Sequence, residues 1–199
     1  MSQTAKYAYW GVSNPNYAIQ IYSGNYIVSD AGNSRIIELD PTLSTVIRSY
    51  LTSGVVFFDY SEDNETLLIT YGVGNAVIEV TWSEVDFGTI IWQSTTSLNN
   101  PQCATYKQGN VNELVIADTG NNRIVFYDRN QDSYRTINHY KLSSDDTSTP
   151  EISYLYKPYR VNQYSNGNIC VVEQEGRAID FATIESSSSS SIDSSSSSS

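Results

Sequence analysis

Basic residues are scarce in this chain. Its 199 residues hold 11 Lys and Arg against 22 Asp and Glu, a formal charge of −11. A surface that grips phosphates needs clustered Lys and Arg. No such cluster occurs, so nucleic acid is not an expected partner. Histidine is nearly absent: His139 stands alone, and no neighbouring residue pattern makes it a general base. There are two cysteines, Cys103 and Cys170. With one histidine they form no cluster of metal-ligand spacing, so no metal and no other cofactor is expected. Both sit in apolar, strand-like contexts and read as buried free thiols, with a disulfide as the alternative. No apolar run is long enough to cross a membrane, and Met1 to Trp10 has no apolar signal core. No Gly-x-Ser-x-Gly elbow and no phosphate-cradling glycine loop appears.

What the chain has is tyrosine, 16 of them against 5 Pro and 1 Met, a balance that suits strands better than helices. It also repeats. Glu113 to Asp128 reads ELVIADTGNNRIVFYD, two β-rich runs around a short polar turn. Tyr26 to Asp40, YIVSDAGNSRIIELD, is the same phrase. Asp30 matches Asp118, Gly32 matches Gly120 and Arg35 matches Arg123. The turn residues tolerate unusual backbone angles or bond their own backbone, so each copy is a hairpin.

Asn14-Pro15 opens a first repeat of four short strands. Asn100-Pro101 opens a third, two repeats of about 43 residues further on, a spacing found in propeller blades. The second repeat is degenerate: Tyr71 to Asn75 replaces the turn phrase, and Ala76 stands where the others have arginine. The third has its fourth strand at Tyr134 to Leu142 and a polar insertion from Ser143 to Pro150. The fourth opens at Pro158 and lacks a fourth strand. Lys6 to Gly11 is an orphan strand that suits this gap, since pairing it there removes an open edge.

The expected fold is therefore all-β: a β-propeller of four four-stranded blades, closed by the N-terminal strand, with a Ser-rich low-complexity tail. The propeller spans residues 1–183, with repeats at about 15–54, 55–99, 100–156 and 157–183 and residues 5–11 as closing strand. The rivals are half of a larger ring, or a first strand that pairs with the next subunit and so builds a ring or filament.

Residues 184–199 form a tail of two octads, each an Ile, an acid and six serines. Such composition buries no core. It reads as a linker or as an O-glycan acceptor stalk, through Ser186, Ser187, Ser188, Ser189, Ser190 and Ser191, then Ser194, Ser195, Ser196, Ser197, Ser198 and Ser199. Asn64-Glu65-Thr66 fits an N-glycosylation acceptor at Asn64. The acidic stretches 62–65 and 145–146 lack the alternating ligands of a calcium loop and read as solvated turns.

The phrases Asn-Pro-x-x-Ala and Asp-x-Gly-Asn-x-Arg-Ile resemble NHL-type β-propeller repeats. Leu98 to Tyr127 is also similar to blades of arylsulfotransferase-like propellers. The resemblance implies the fold and leaves function open, because such families include lyases, lactonases, sulfotransferases and binding scaffolds. The zinc-using lyases need several histidines, and this chain has only His139.

Asp30, Arg35, Asp118 and Arg123 are the most conspicuous polar set. They read as structural turn pairs: a turn Asp that accepts its own backbone, and an Arg that reaches a carboxylate. The expected function is a non-catalytic module of an extracellular or particle-surface assembly, structural or adhesive. Its expected partner is a protein or another copy of itself, in a homo-oligomer or filament. The alternative is a ligand-binding or enzymatic propeller that uses its central channel.

Overall fold

A computed structural model of the chain describes residues 11–141 and 152–182. The described residues form seventeen strands in consecutive antiparallel sheets. Blade one runs β1 (Ala18–Gln20), β2 (Tyr26–Asp30), β3 (Arg35–Leu39) and β4 (Val46–Leu51), in that order across the sheet. Blade two runs β5 (Val55–Ser61), β6 (Thr66–Tyr71), β7 (Ala76–Thr81) and β8 (Ile90–Gln93). Blade three runs β9 (Cys103–Lys107), β10 (Asn110–Asp118), β11 (Arg123–Asp128) and β12 (Ser133–Ile137).

β13 (His139–Lys141) and β14 (Ile152–Tyr154) pair only with each other. Blade four shows three strands, β15 (Pro158–Gln163), β16 (Asn168–Glu173) and β17 (Ala178–Ala182). The expected closing strand falls mostly on residues 1–10, outside the described residues. So do the polar insertion and the serine octads.

The middle strands read as unbroken apolar runs because both their faces are covered. Ile27, Ile36 and Ile37 are fully buried, as are Leu67, Leu68, Ile69 and Leu114 to Ala117. The outer strand β4 instead alternates half-buried and exposed positions. Blades pack in sequence order, one on two, two on three, three on four. The first interface is filled by Ile21, Ile36, Phe58, Leu67 and Trp82. Leu68, Val77, Ile116 and Tyr127 fill the second, and Val115, Phe126, Val161 and Val171 the third.

One strand differs from expectation. The outer strand of blade three ends at Ile137, and His139 is not on it. Residues 139–141 leave the sheet for a local hairpin with 152–154. The physical reason is an anchor: Leu155 is buried in the core between blades three and four, and its N–H bonds the Asn138 carbonyl at 2.9 Å. That contact draws the chain off the blade edge.

Candidate functional site

At one end of the molecule the β2–β3 and β10–β11 hairpins present their aspartates. Asp30 is buried and accepts the Ser13 N–H at 2.6 Å, Asn33 Nδ2 at 2.9 Å and Arg35 Nε at 2.6 Å. Asp118 repeats this with the Asn99 N–H at 2.7 Å, Asn121 Nδ2 at 2.9 Å and Arg123 Nε at 2.6 Å. Each turn is a short 3-10 segment that ends in a left-handed residue, Ser34 or Asn122. Glycine is needed inside each because the preceding chain crosses overhead. A Cβ at Gly32 would sit 2.7 Å from the Ser13 carbonyl oxygen, and one at Gly120 2.7 Å from that of Asn99.

Burial raises the Asp30 pKa, but the bonds from Ser13, Asn33 and Arg35 outweigh it, and the carboxyl sits below the ordinary range. These carboxylates face their own guanidiniums and the chain above the turn, so their bonds are spent within the fold.

Sequence reasoning missed three more carboxylates of the same kind. In blade four Glu173 is buried, accepts the Tyr156 N–H at 2.7 Å and pairs with Arg177 at 2.6 Å. The signal was Glu-x-x-Gly-Arg, a turn one residue shorter. Between blades one and two, Glu38 accepts Trp82 Nε1 at 2.8 Å and pairs with Arg48 at 3.0 Å. Between blades two and three, Glu79 accepts the Tyr106 hydroxyl at 2.7 Å and pairs with Arg129 at 2.5 Å. An acid inside the apolar runs RIIEL and AVIEV was the readable sign.

At the opposite end, the inner hairpins of blades one to three surround a polar mouth of about 570 Å³. Tyr22, Asp59, Glu62, Asn64, Tyr106 and Lys107 are among its walls. The Tyr22 N–H donates to Glu62 at 2.7 Å and ties two hairpins together. Asp59 accepts the Tyr106 and Tyr60 N–H groups, each at 3.0 Å, yet burial dominates and raises its carboxyl above the usual range. Burial and the nearby Glu62 and Glu65 push the Tyr60 hydroxyl up to about 12. Asn64 lies exposed on this rim. Below the mouth the axis is filled: Tyr17 and Phe57 meet at 4.5 Å, and the Arg160 guanidinium lies 4.6 Å over Phe57.

An aromatic ledge runs from β14 to the start of β15 beside the Asp118 turn. Tyr154, Tyr156 and Tyr159 are 67%, 40% and 36% exposed. Lys157, whose N–H bonds Asn122 at 2.8 Å, lies over Tyr156, and Arg160 flanks Tyr159 at 4.6 Å. His139 stacks on Tyr154 at 6.0 Å, and its Nδ1 meets Asn138. It faces neither the mouth nor a carboxylate. Both cysteines are free thiols, and burial pushes Cys103 up to about 12, far from a reactive thiolate. Among the described residues no group of three or more His, Cys, Asp or Glu is placed to hold a metal, and no helix is long and apolar enough to cross a membrane.

No protein-family model and no curated protein matches this sequence. Solved structures do. The chain superposes on a structure of the nidogen–laminin complex with TM-score 0.64 and 14% identity, over 87% of this chain and 61% of that one. The Cps50 (Swd1) β-propeller domain of Myceliophteria thermophila gives 0.60 and 9%, over 85% and 54%. Streptogramin B lyase gives 0.53 and 15%, over 83% and 53%. The fold is a β-propeller. This propeller spans about half the length of the structures it matches, with four blades described, and at these identities the likeness is one of fold.

Proposed function

We propose that this propeller is a non-catalytic module of an extracellular or particle-surface assembly, structural or adhesive, with the serine octads as an O-glycosylated tail. The observation that carries the reading is the aromatic ledge between β14 and β15. Three exposed tyrosines with a lysine and an arginine over their rings stand on an otherwise acidic molecule. Exposed aromatics flanked by cations are the residue types that anchor protein interfaces. The buried carboxylates described above hold turns and blade interfaces together, which suits a rigid scaffold. The structural neighbours are mixed, since one is a lyase and another comes from a complex of two proteins.

The partner is another copy of the chain or a second protein of acidic surface. The test joins intact mass of the native protein, with residues 184–199 mapped, to light scattering over a concentration series. A mass above 22.2 kDa concentrated in the tail, and assemblies that Tyr154→Ser/Tyr156→Ser/Tyr159→Ser dissolves, are expected. An unmodified tail and a monomer at every concentration overturn the reading. The polar mouth favours a second reading, a small hydroxylated ligand bound beside Asp59. A ligand-induced rise in melting temperature, lost in Asp59→Asn, would replace the first reading with the second.

A further inference from the structure

Two of the three blade interfaces centre on a buried carboxylate at the same strand position, and the third has none there. In the first, Glu38 on β3 faces Arg48, its cross-strand neighbour on β4. In the second, Glu79 on β7 takes the hydroxyl of Tyr106, which comes from the inner strand of the next blade. At the third interface the matching position on β11 is Phe126. Its cross-strand neighbour on β12 is Arg135, in the place of Arg48. The inner strand of blade four supplies Gln163 in the place of Tyr106. Arg135 thus stands at the position of the first interface's cross-strand donor and Gln163 at that of the second interface's inner-strand donor, with no carboxylate between them.

In its place lies a pocket of about 250 Å³, lined by Phe126, Arg135, Gln163, Glu113, Asp128 and Tyr134 among others. That is room for about eight waters. Arg135 lies 3.8 Å over the Phe126 ring and, among the described residues, forms no ion pair. Gln163 is 94% buried by its neighbours, being 6% exposed, and its side-chain amide makes no hydrogen bond among the described residues. Its amide opens onto the pocket and not into the core, so it is available to a ligand there. Glu113 is already held by Lys107 at 2.9 Å and by Asn110 at 2.7 Å, and Asp128 accepts the Asn130 N–H at 2.9 Å. Neither acid neutralises Arg135 at contact distance.

We infer that this pocket binds a small carboxylated sugar of uronic-acid size. Its carboxylate takes the place that Glu38 and Glu79 fill in the other interfaces. Arg135 and the Gln163 amide donate to it. Glu113 and Asp128 accept from its hydroxyls, and the Tyr134 ring, exposed on the rim, covers its apolar face. Sugar rings stack on such aromatic faces while side-chain acids and amides take their hydroxyls.

The test is a titration of the full chain with sodium glucuronate, read by 15N-resolved amide shifts, with glucose as control. Saturable shifts at residues of β11, β12 and β15 with glucuronate and none with glucose are expected. Arg135→Gln, at an exposed side chain, should weaken binding at least tenfold while the unfolding midpoint stays unchanged. Phe126→Glu places a carboxylate there internally and should abolish binding while the chain keeps its fold by circular dichroism, at some cost in melting temperature because Phe126 belongs to the core. Equal shifts with glucose, no saturation, or unchanged affinity in Arg135→Gln would each overturn the inference. Failure here leaves the ledge untouched, because none of these residues belongs to it.

Discussion

Replacing Asp118 by alanine removes the acceptor at the centre of the third blade's turn clamp. The carboxylate is fully buried and takes the Asn99 N–H, the Asn121 amide and Arg123 Nε. Without it Arg123 keeps only its bond to the Ser97 carbonyl, at 2.6 Å. Removing one partner of a buried pair costs about 3–5 kcal/mol. Arg123 is 24% exposed, so water reaches the guanidinium and the lower end applies, about 3 kcal/mol.

In urea, with a slope of about 2 kcal/mol per molar, the midpoint should fall by about 1.5 M. Arg123→Ala should cost less, because the Asn99 and Asn121 donors still hold the carboxylate. The double variant should then cost less than the two singles together, by about 1–2 kcal/mol. Asp30→Ala in blade one should reproduce the result. A loss under about 1 kcal/mol for Asp118→Ala, or additive losses, would refute the view that these pairs fasten the hairpins.

Gly120→Ala should lose about 1–3 kcal/mol in the same assay, because the new Cβ meets an Asn99 carbonyl that is fixed by the Gly120 N–H at 2.8 Å. Asp30 has a depressed folded pKa, so its contribution is present above the unfolded value of about 3.9 and is lost as pH falls through the folded one. Asp30→Asn should therefore flatten the acid limb of the stability curve. Asp59 has a raised folded pKa, so its contribution is present below the unfolded value and is lost as pH rises through the folded one. Asp59→Asn should thus be more stable than the parent at pH 8, relative to pH 4, in paired urea titrations. In a thiol-reagent assay the native protein should expose only Cys170 and the unfolded chain both cysteines, since Cys103 is 1% exposed; rapid labelling of both would contradict the packing.

Much of the architecture was legible because hairpin turns are local. The Asp-x-Gly-Asn phrase marks a backbone shape that few residues reach, and the apolar runs on either side fix the strands that flank it. Non-local features were not legible. Nothing near Asn138 in sequence announces that Leu155 will seat itself between blades three and four and draw residues 139–141 off the sheet. The partners of the interface carboxylates Glu38 and Glu79 were hidden for a related reason. Their donors Trp82, Tyr106 and Arg129 lie on the following blade, 27 to 50 residues away, and only the assembled sheets bring them together. The ledge was half legible: Tyr154, Tyr156 and Tyr159 stand out in sequence, but their exposure depends on where the hairpin β13–β14 leaves the blade.

The degenerate second repeat shows what the clamp requires. Tyr71 stands where the other blades have Asp30 and Asp118, and its hydroxyl meets Thr52 at 2.6 Å. Ala76 begins β7 in place of an arginine. Val73 occupies the position of Gly32 and Gly120 and is 90% exposed. At the glycine positions a chain crosses close enough to exclude a Cβ and to place an N–H over the carboxylate. Over Val73 no such crossing occurs, so glycine is no longer needed. An aspartate at position 71 would then lack the overhead N–H that Ser13 and Asn99 provide, and would be half-buried without compensation. Aspartate, arginine and glycine are therefore absent together, because each is useful only while the same stretch of chain lies above the turn. A hydroxyl pair replaces them, weaker but free of any buried charge that would need a partner.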